Sequence, residues 1–359
     1  MTISATRRHS LIVFALGALL AAIPVSAHGQ VSLATVVDLA QRNSTAVRLA
    51  QTDLEKARAM LSQSRDVTIP SLLFSTGLPV FPEVGFTGSP PSIWNATVES
   101  LVFSFPQKHY IDAARSGLQA AAASVKEAHE QVALEASSAY IELDTVNREL
   151  DAARQQEGYA GKLVSIEQER TEAGVDPLND LLEARLTAAQ IKLKRQHLET
   201  RGATLSKRIG VLTGLPVGSI TPDHASIPEI PQVSGDAVSK DLPGIEATRL
   251  VARSKSQIAK GDNEANYFPQ LSFVAQYNRN TTILNEVNSF FAKPLPANNF
   301  ASGISVQVPV FDMVHRAKAR ESAADALRAK VEVEQAERQN EVQIAELTGN
   351  LRELDTLAE

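Results

Sequence analysis

The sequence has no cysteine anywhere in its 359 residues. That excludes disulfide frameworks, thiolate metal sites, cysteine nucleophiles and the lipid-anchored class of bacterial envelope proteins. Aromatic residues make up only 5% of the chain, little for a thick globular core. With 18 Gly and 17 Pro it is neither collagen-like nor low-complexity. There is no excess of positive charge: Lys+Arg 35 stand against Asp+Glu 41, a formal net charge of −6. A mildly acidic chain carries no electrostatic footprint for nucleic acid. Catalytic patterns are missing too. There is no His-Glu-x-x-His, no Gly-x-Ser-x-Gly, no phosphate loop and no Gly-x-Gly-x-x-Gly. The seven histidines, at His9, His28, His109, His129, His197, His224 and His315, show no metal-ligand spacing and are expected to be solvated. Acidic pairs such as Asp325 and Glu332 read as charged helix faces. No catalytic residue, cofactor or metal is assigned.

The one long apolar run is N-terminal. Arg7 and Arg8 precede Leu11–Ile23, followed by Pro24 and the small-x-small exit Val25-Ser26-Ala27. This is the pattern of a secretory signal peptide cleaved after Ala27, and the run is too short to span a bilayer. Beyond it no segment has 18 consecutive apolar residues, so any crossing of a membrane would need strands.

The rest reads as helix, strand pair and helices, done twice. Ser32–Asp66 is helical in pattern. The next stretch, to Pro106, is broken by five prolines and holds two apolar runs, Leu72–Phe81 and Ile93–Phe105. Proline is then absent from Gln107 to Asp176, room for a helix of about 100 Å. Ile111, Leu118, Val125, Val132, Ala139 and Val146 recur every seven residues, a coiled-coil seam. After Gly174–Pro177 a second seam follows: Leu181, Ala184, Ala188, Ile191, Leu198, Leu205 and Leu212, broken by Arg195 and Gly202. Two long helices with a short turn predict an antiparallel hairpin.

A proline-rich linker, residues 214–243, precedes a return of the first pattern. Ile69-Pro70-Ser71-Leu72 is answered by Phe268-Pro269-Gln270-Leu271, and Arg148-Glu149-Leu150-Asp151 by Arg352-Glu353-Leu354-Asp355. The expected organisation is a signal over residues 1–27, a first repeat over 28–213, the linker over 214–243 and a second, incomplete repeat over 244–359. In the second copy Leu271, Phe273, Ala275 and Tyr277 alternate with polar residues, as do Ile304, Val306, Val308 and Val310. Such strands fit a tilted transmembrane strand or one face of a soluble core. Four strands cannot close a barrel alone; twelve, from three chains, can.

Several strings resemble the TolC family of bacterial outer-membrane efflux proteins. They are Ser32-Leu33-Ala34 with Leu39-Ala40 and Asn43, Phe268-Pro269-Gln270-Leu271-Ser272-Phe273, Val308-Pro309-Val310-Phe311-Asp312, and Leu212-Thr213-Gly214-Leu215-Pro216. The most specific is Arg170-Thr171-Glu172-Ala173-Gly174-Val175, followed by Asp180-Leu181 and Ala184-Arg185-Leu186, which is similar to the family's hairpin tip. The likeness runs from about Ser32 to the end of the chain.

The resemblance implies a mainly α fold with β: long antiparallel coiled-coil helices, four membrane strands per protomer, a tandem repeat and a trimeric α/β-barrel. It implies a homotrimer in the outer membrane with a periplasmic helical tunnel. It further implies a periplasmic adaptor as partner, an inner-membrane pump acting indirectly, and passive export of small molecules or proteins. The tip residues expected to touch the adaptor are Arg170, Gly174, Val175, Leu178 and Asp180. Gly174 allows the positive φ of a tight turn, and Asp176 or Asn179 is expected to cap the returning helix, with Pro177 among its first residues.

The second copy departs from the pattern. Gly174 lies 69 residues past Phe105, and the same distance from Phe311 falls near position 380. The expectation is a C-terminally truncated chain that does not form a stable conducting trimer by itself. The competing reading is a soluble periplasmic coiled-coil adaptor or scaffold; a secreted enzyme has no residue constellation behind it.

Overall fold

A computed structural model describes residues 30–76, 92–229, 242–280 and 298–358. The signal-peptide reading lies outside them. In chain order the elements are β1 (Gln30–Val31), α1 (Leu33–Asn43), α2 (Thr45–Asp66), β2 (Ser71–Thr76), β3 (Ser92–Ser104), α3 (Phe105–Glu172), α4 (Leu178–Thr213), β4 (Thr221–Pro222), a 3-10 turn (His224–Ser226), α5 (Pro243–Glu264), β5 (Gln270–Asn280), β6 (Asn298–Gln307) and α6 (Met313–Ala358). The order helix, two strands, long helix occurs twice. The expected single helix over 32–66 is two helices. Ser44, buried and extended, separates them, and its hydroxyl accepts from Ala46 N–H.

The chain divides into two compact units: Met1–Arg48 with His129–Ser234, and Leu49–Ala128 with Gly235–Glu359.

The first unit is organised around the helical hairpin of α3 and α4. Their pairing is antiparallel, as the cross-links show: Arg195 with Glu157 at 2.7 Å, Arg201 with Glu142 at 2.5 Å, and Arg208 with Glu135 at 2.8 Å. Val132, Ala139 and Val146 are buried on the α3 side, and Leu181, Ala184, Leu198 and Leu205 on the α4 side. The two breaks in the α4 seam differ. Arg195 keeps its charge satisfied between Glu157 and Glu199. At Gly202 an added Cβ would stand at ordinary contact distance, 3.5 Å from Val146 Cγ1, so packing does not demand the glycine.

Tyr140, fully buried, holds the other segments of this unit to α3. Its hydroxyl donates to the Val31 carbonyl (2.7 Å) and accepts from Asp223 N–H (2.7 Å). These bonds pin the short parallel pair β1–β4. At the end of α4, Gly214 takes φ 76° and the orphan carbonyl of Thr213 accepts from Asn43 Nδ2 at 2.7 Å. Two strings far apart in sequence thus close one helix end.

The second unit packs helices through small side chains and carries the sheet. Ala113, Ala120, Ala123, Ala247, Ala252, Ala326 and Ala329 are buried, and α5 and α6 are tied by Arg249–Glu337 (2.7 Å) and Lys255–Asp325 (3.3 Å). In this stretch of α3 the expected seam is displaced. Ile111, Leu118 and Val125 are only half-buried, while Ala113, Ser116, Ala120 and Ala123 are buried. Close helix approach selects the small positions over the most apolar ones. His109 also departs from expectation. It is largely buried, with ring nitrogens 3.0 Å from Gln257 Oε1 and 3.1 Å from Glu264 Oε1.

The four strands form one antiparallel sheet in the order β2-β3-β5-β6. The two strand pairs, far apart in sequence, are joined by β3–β5, which carries register shifts between Ser92 and Trp94 and between Leu101 and Phe103. β6 ends at Gln307 rather than Val310. Pro309 has no N–H for the ladder, and Asp312 then accepts from Val314 N–H and His315 N–H at the start of α6.

Candidate functional site: the hairpin tip and the sheet face

At the tip, α3 ends in a left-handed glycine. Gly174 has φ 74°, Gly174 N–H donates to the Thr171 carbonyl (3.0 Å), and Val175 N–H donates to the Arg170 carbonyl (2.9 Å). This pair of bonds is the Schellman closure, which satisfies the last carbonyls of the helix. An added Cβ at Gly174 would meet nothing within 4 Å, so the demand for glycine is purely one of backbone conformation.

The expected cap of the returning helix is absent. Asp176 turns back instead and takes the Arg170 guanidinium with both oxygens, Nη2 to Oδ1 at 3.1 Å and Nε to Oδ2. The hydrogen bond from Arg170 holds the Asp176 carboxyl below its ordinary range, and the same bond raises Arg170. Pro177 is the N-cap itself, extended and without a side-chain cap bond, and Leu178 opens the helix. Asp180 sits in the first turn of α4, where a negative charge suits the helix dipole. Val175 and Leu178 are 65% and 60% exposed. The five expected residues lie on one turn, braced by the bidentate pair of Arg170 with Asp176 and presenting two apolar side chains to solvent. The sequence reading missed Asp176 as the partner of Arg170; opposite charges six residues apart across a turn were the available signal.

The sheet is a second surface. Residues paired across strands share a face, so register assigns sides. One side carries Leu72 and Phe74 of β2, Trp94, Ala96 and Val98 of β3, Phe273, Ala275 and Tyr277 of β5, and Phe300, Ile304 and Val306 of β6, with Ser100, Ser302 and the end row of Thr76, Arg279 and Asn298 as its polar members. The other is mostly polar, with Asn95, Thr97, Glu99, Ser272, Gln276, Asn278, Ser305 and Gln307, though Leu73 and Val274 fall there too. Nothing in the described residues covers the apolar side: Leu72 is 72% exposed, Phe300 68% and Ile304 67%. Apart from Phe273, which shares a row with Ser100 and Ile304, its aromatic residues gather toward the two ends. Phe74, Tyr277 and Phe300 align in one row at the level of Ala96, and Trp94 packs edge-on to Phe74 with ring centroids 6.0 Å apart. At the helix end, Phe103, Phe105 and Phe268 stack in sequence at 4.8 and 4.7 Å.

Among the described residues no group of three or more His, Asp or Glu is placed to hold a metal, and no helix is long and apolar enough to cross a membrane.

No family model and no curated protein matches the sequence. Solved structures do match the fold. The outer membrane protein VceC from Vibrio cholerae is similar over 89% of this chain and 79% of its own, with TM-score 0.68 and 18% identity. The outer-membrane channel OprN is similar over 91% and 76%, at TM-score 0.68 and 18% identity. The MtrE outer membrane channel of Neisseria gonorrhoeae, in its open state, is similar over 91% and 74%, at TM-score 0.62 and 16% identity. The fold is therefore TolC-like, mainly helical with a small sheet, as the sequence resemblance implied.

Proposed function

We propose, against the expectation drawn from the second copy's departure, that this chain is an outer-membrane channel component, exported by its N-terminal signal and assembled as a homotrimer. Three four-stranded sheets would close a twelve-stranded barrel, with the helices forming a periplasmic tunnel. Residues 28–213 and 244–359 are then two copies of one unit joined by 214–243. The observation that carries the reading is the uncovered apolar side of the sheet, bounded by aromatic rows. From Trp94 to Phe103 is about 30 Å along the strand at ~3.4 Å per residue. A barrel tilt of ~40° reduces that to about 23 Å, close to the ~25 Å apolar band of outer-membrane barrels. A face of this kind is too large and too apolar to leave in water. The mostly polar opposite side suits a water-filled lumen, through which small molecules or proteins would pass without local energy input. The similar solved structures support the same reading through their fold.

The hairpin tip, with Arg170, Gly174, Val175, Leu178 and Asp180, is assigned to contact with a periplasmic adaptor, itself joined to an inner-membrane pump. A rigid turn with two exposed apolar side chains loses little entropy on docking.

The test is fractionation of the expressed chain. The channel reading expects it in the outer-membrane fraction, as a band whose migration shifts from trimer to monomer on heating. A soluble periplasmic pool would overturn it in favour of a coiled-coil scaffold. For the tip, the double substitution Val175→Asp with Leu178→Asp should leave outer-membrane assembly intact while abolishing export; unaffected export would remove the tip from adaptor contact.

A further inference from the structure

The second unit holds a cavity of about 440 Å³ walled by α2, α3, α5 and α6. Its lining is largely apolar and small, including Ala57, Met60, Ala113, Gly117 and Ile258, and its volume lies in the range of ligand pockets. The titratable groups on the wall are Tyr110, Asp262 and Lys318. Lys318 is exposed at the rim. Asp262 is different: it is only 4% exposed, and its Oδ1 accepts from the Tyr110 hydroxyl at 2.7 Å. Its Oδ2 is shut off from water and has no hydrogen-bond partner.

This arrangement is built into the helices. An added Cβ at Gly261 would stand 2.7 Å from Tyr110 Cε1, so only glycine lets the ring lie against α5 and deliver its hydroxyl to the next residue's carboxylate. Burial, and then the bond to Asp262, push the phenol well above its ordinary range, which keeps it a donor. One oxygen of a buried carboxylate is thereby satisfied and the other left open. An unpaired buried carboxylate oxygen is costly until a donor reaches it, and a cationic donor serves best. Asp262 lines the cavity, and a partial turn about its broad last torsion, with the Tyr110 hydroxyl following the other oxygen, brings the unpaired oxygen to the cavity side without backbone movement.

We propose that this cavity binds an organic ammonium cation with an apolar body, its charged head on the free oxygen of Asp262 and its tail along Met60, Ile258 and the alanine wall. The site lies within one unit, and the inference stands whether or not the chain forms a channel.

The experiment is calorimetric titration of the purified full chain, in non-ionic detergent where it extracts from membranes. The probes are n-hexylammonium at neutral pH and n-hexanol, its uncharged match. The expected result is hexylammonium binding at least about tenfold tighter than hexanol, since a charge-assisted bond to a buried carboxylate is worth that factor or more. Asp262→Asn should erase the preference, bringing hexylammonium affinity down to that of hexanol. Equal affinity for the two probes overturns the proposal, and that comparison needs no variant to fold. Lys318→Met removes the cation at the rim and should strengthen hexylammonium binding slightly. If only that variant binds the probe, Lys318 is the resident cation of Asp262 and the proposal fails.

Discussion

The helical hairpin and the sheet are both amphipathic, but they dispose of their apolar sides differently. In the hairpin, α3 and α4 cover one another. Val132, Ala139 and Val146 are buried on one helix and Leu198 and Leu205 on the other, and arginine–glutamate pairs join the two. In the sheet the apolar side is covered by nothing in the described residues, although β3 and β5 are each paired on both sides. The difference is one of degree: the hairpin buries a seam within one chain while still exposing Leu134, Tyr159, Leu186 and Val211, whereas the sheet's apolar side has no cover at all among the described residues. A lipid phase supplies such cover with backbone hydrogen bonds already closed between strands.

The sharpest way to break this contrast is a charge on each side of one strand. Ile304→Lys on the apolar side should cost roughly 2–4 kcal/mol of membrane insertion if it lies near the midplane, and Ser305→Lys on the opposite side very little. Outer-membrane yield and heat-modifiable migration of the two variants measure the difference; equal behaviour would remove the distinction between the faces.

A smaller effect is expected at the tip. Gly174→Ala places a side chain at φ 74° but meets no neighbour, so it should cost about 1 kcal/mol of hairpin stability by thermal unfolding. The opposite sign is expected in the seam. Gly202→Ala brings a Cβ to ordinary contact distance, 3.5 Å from Val146, and gains helix propensity. It should stabilise by about 0.5–1 kcal/mol, which would show that the glycine is not needed for packing.

The smallest effect is the pH dependence of the turn. The Asp176 carboxyl is depressed by Arg170, so its contribution is present above the ordinary carboxylate range. It is lost as pH falls through the depressed folded value. Melting of the wild type and of Asp176→Asn should therefore differ near neutral pH and converge in acid. The gap is expected to be slight, because the pair sits at an exposed turn.

Much of the fold was legible because the signals are local. Helix ends fall where Gly174, Pro177 and Gly214 lie, and the strands fall where apolar and polar residues alternate. The expected tip residues do lie on one turn. What escaped needs partners distant in sequence. The pairing of β3 with β5 joins strands more than 160 residues apart, and no local pattern announces it. The bond from Asn43 to the Thr213 carbonyl and the seat of Tyr110 on Gly261 and Asp262 are of the same kind. In the first part of α3 the heptad count picked Ile111, Leu118 and Val125, the strongest apolar residues. The neighbours there leave room only for Ala113, Ser116, Ala120 and Ala123. At the turn, Asp176 was expected to cap a helix, but a guanidinium within reach offers a stronger charged bond than a backbone N–H.

The sequence alone determined the periods: long helices, four alternating strands and a glycine at each helix end that needs a left-handed residue. These depend on 3.6- and 2-residue repeats and on backbone sterics, which act between near neighbours. Tertiary structure alone decided which stripe of each helix is buried, that two strand pairs become one sheet, and that one carboxylate is buried with an oxygen left open. Those outcomes depend on how closely distant segments approach, and packing distance is set by the whole set of side chains at a contact rather than by any one of them.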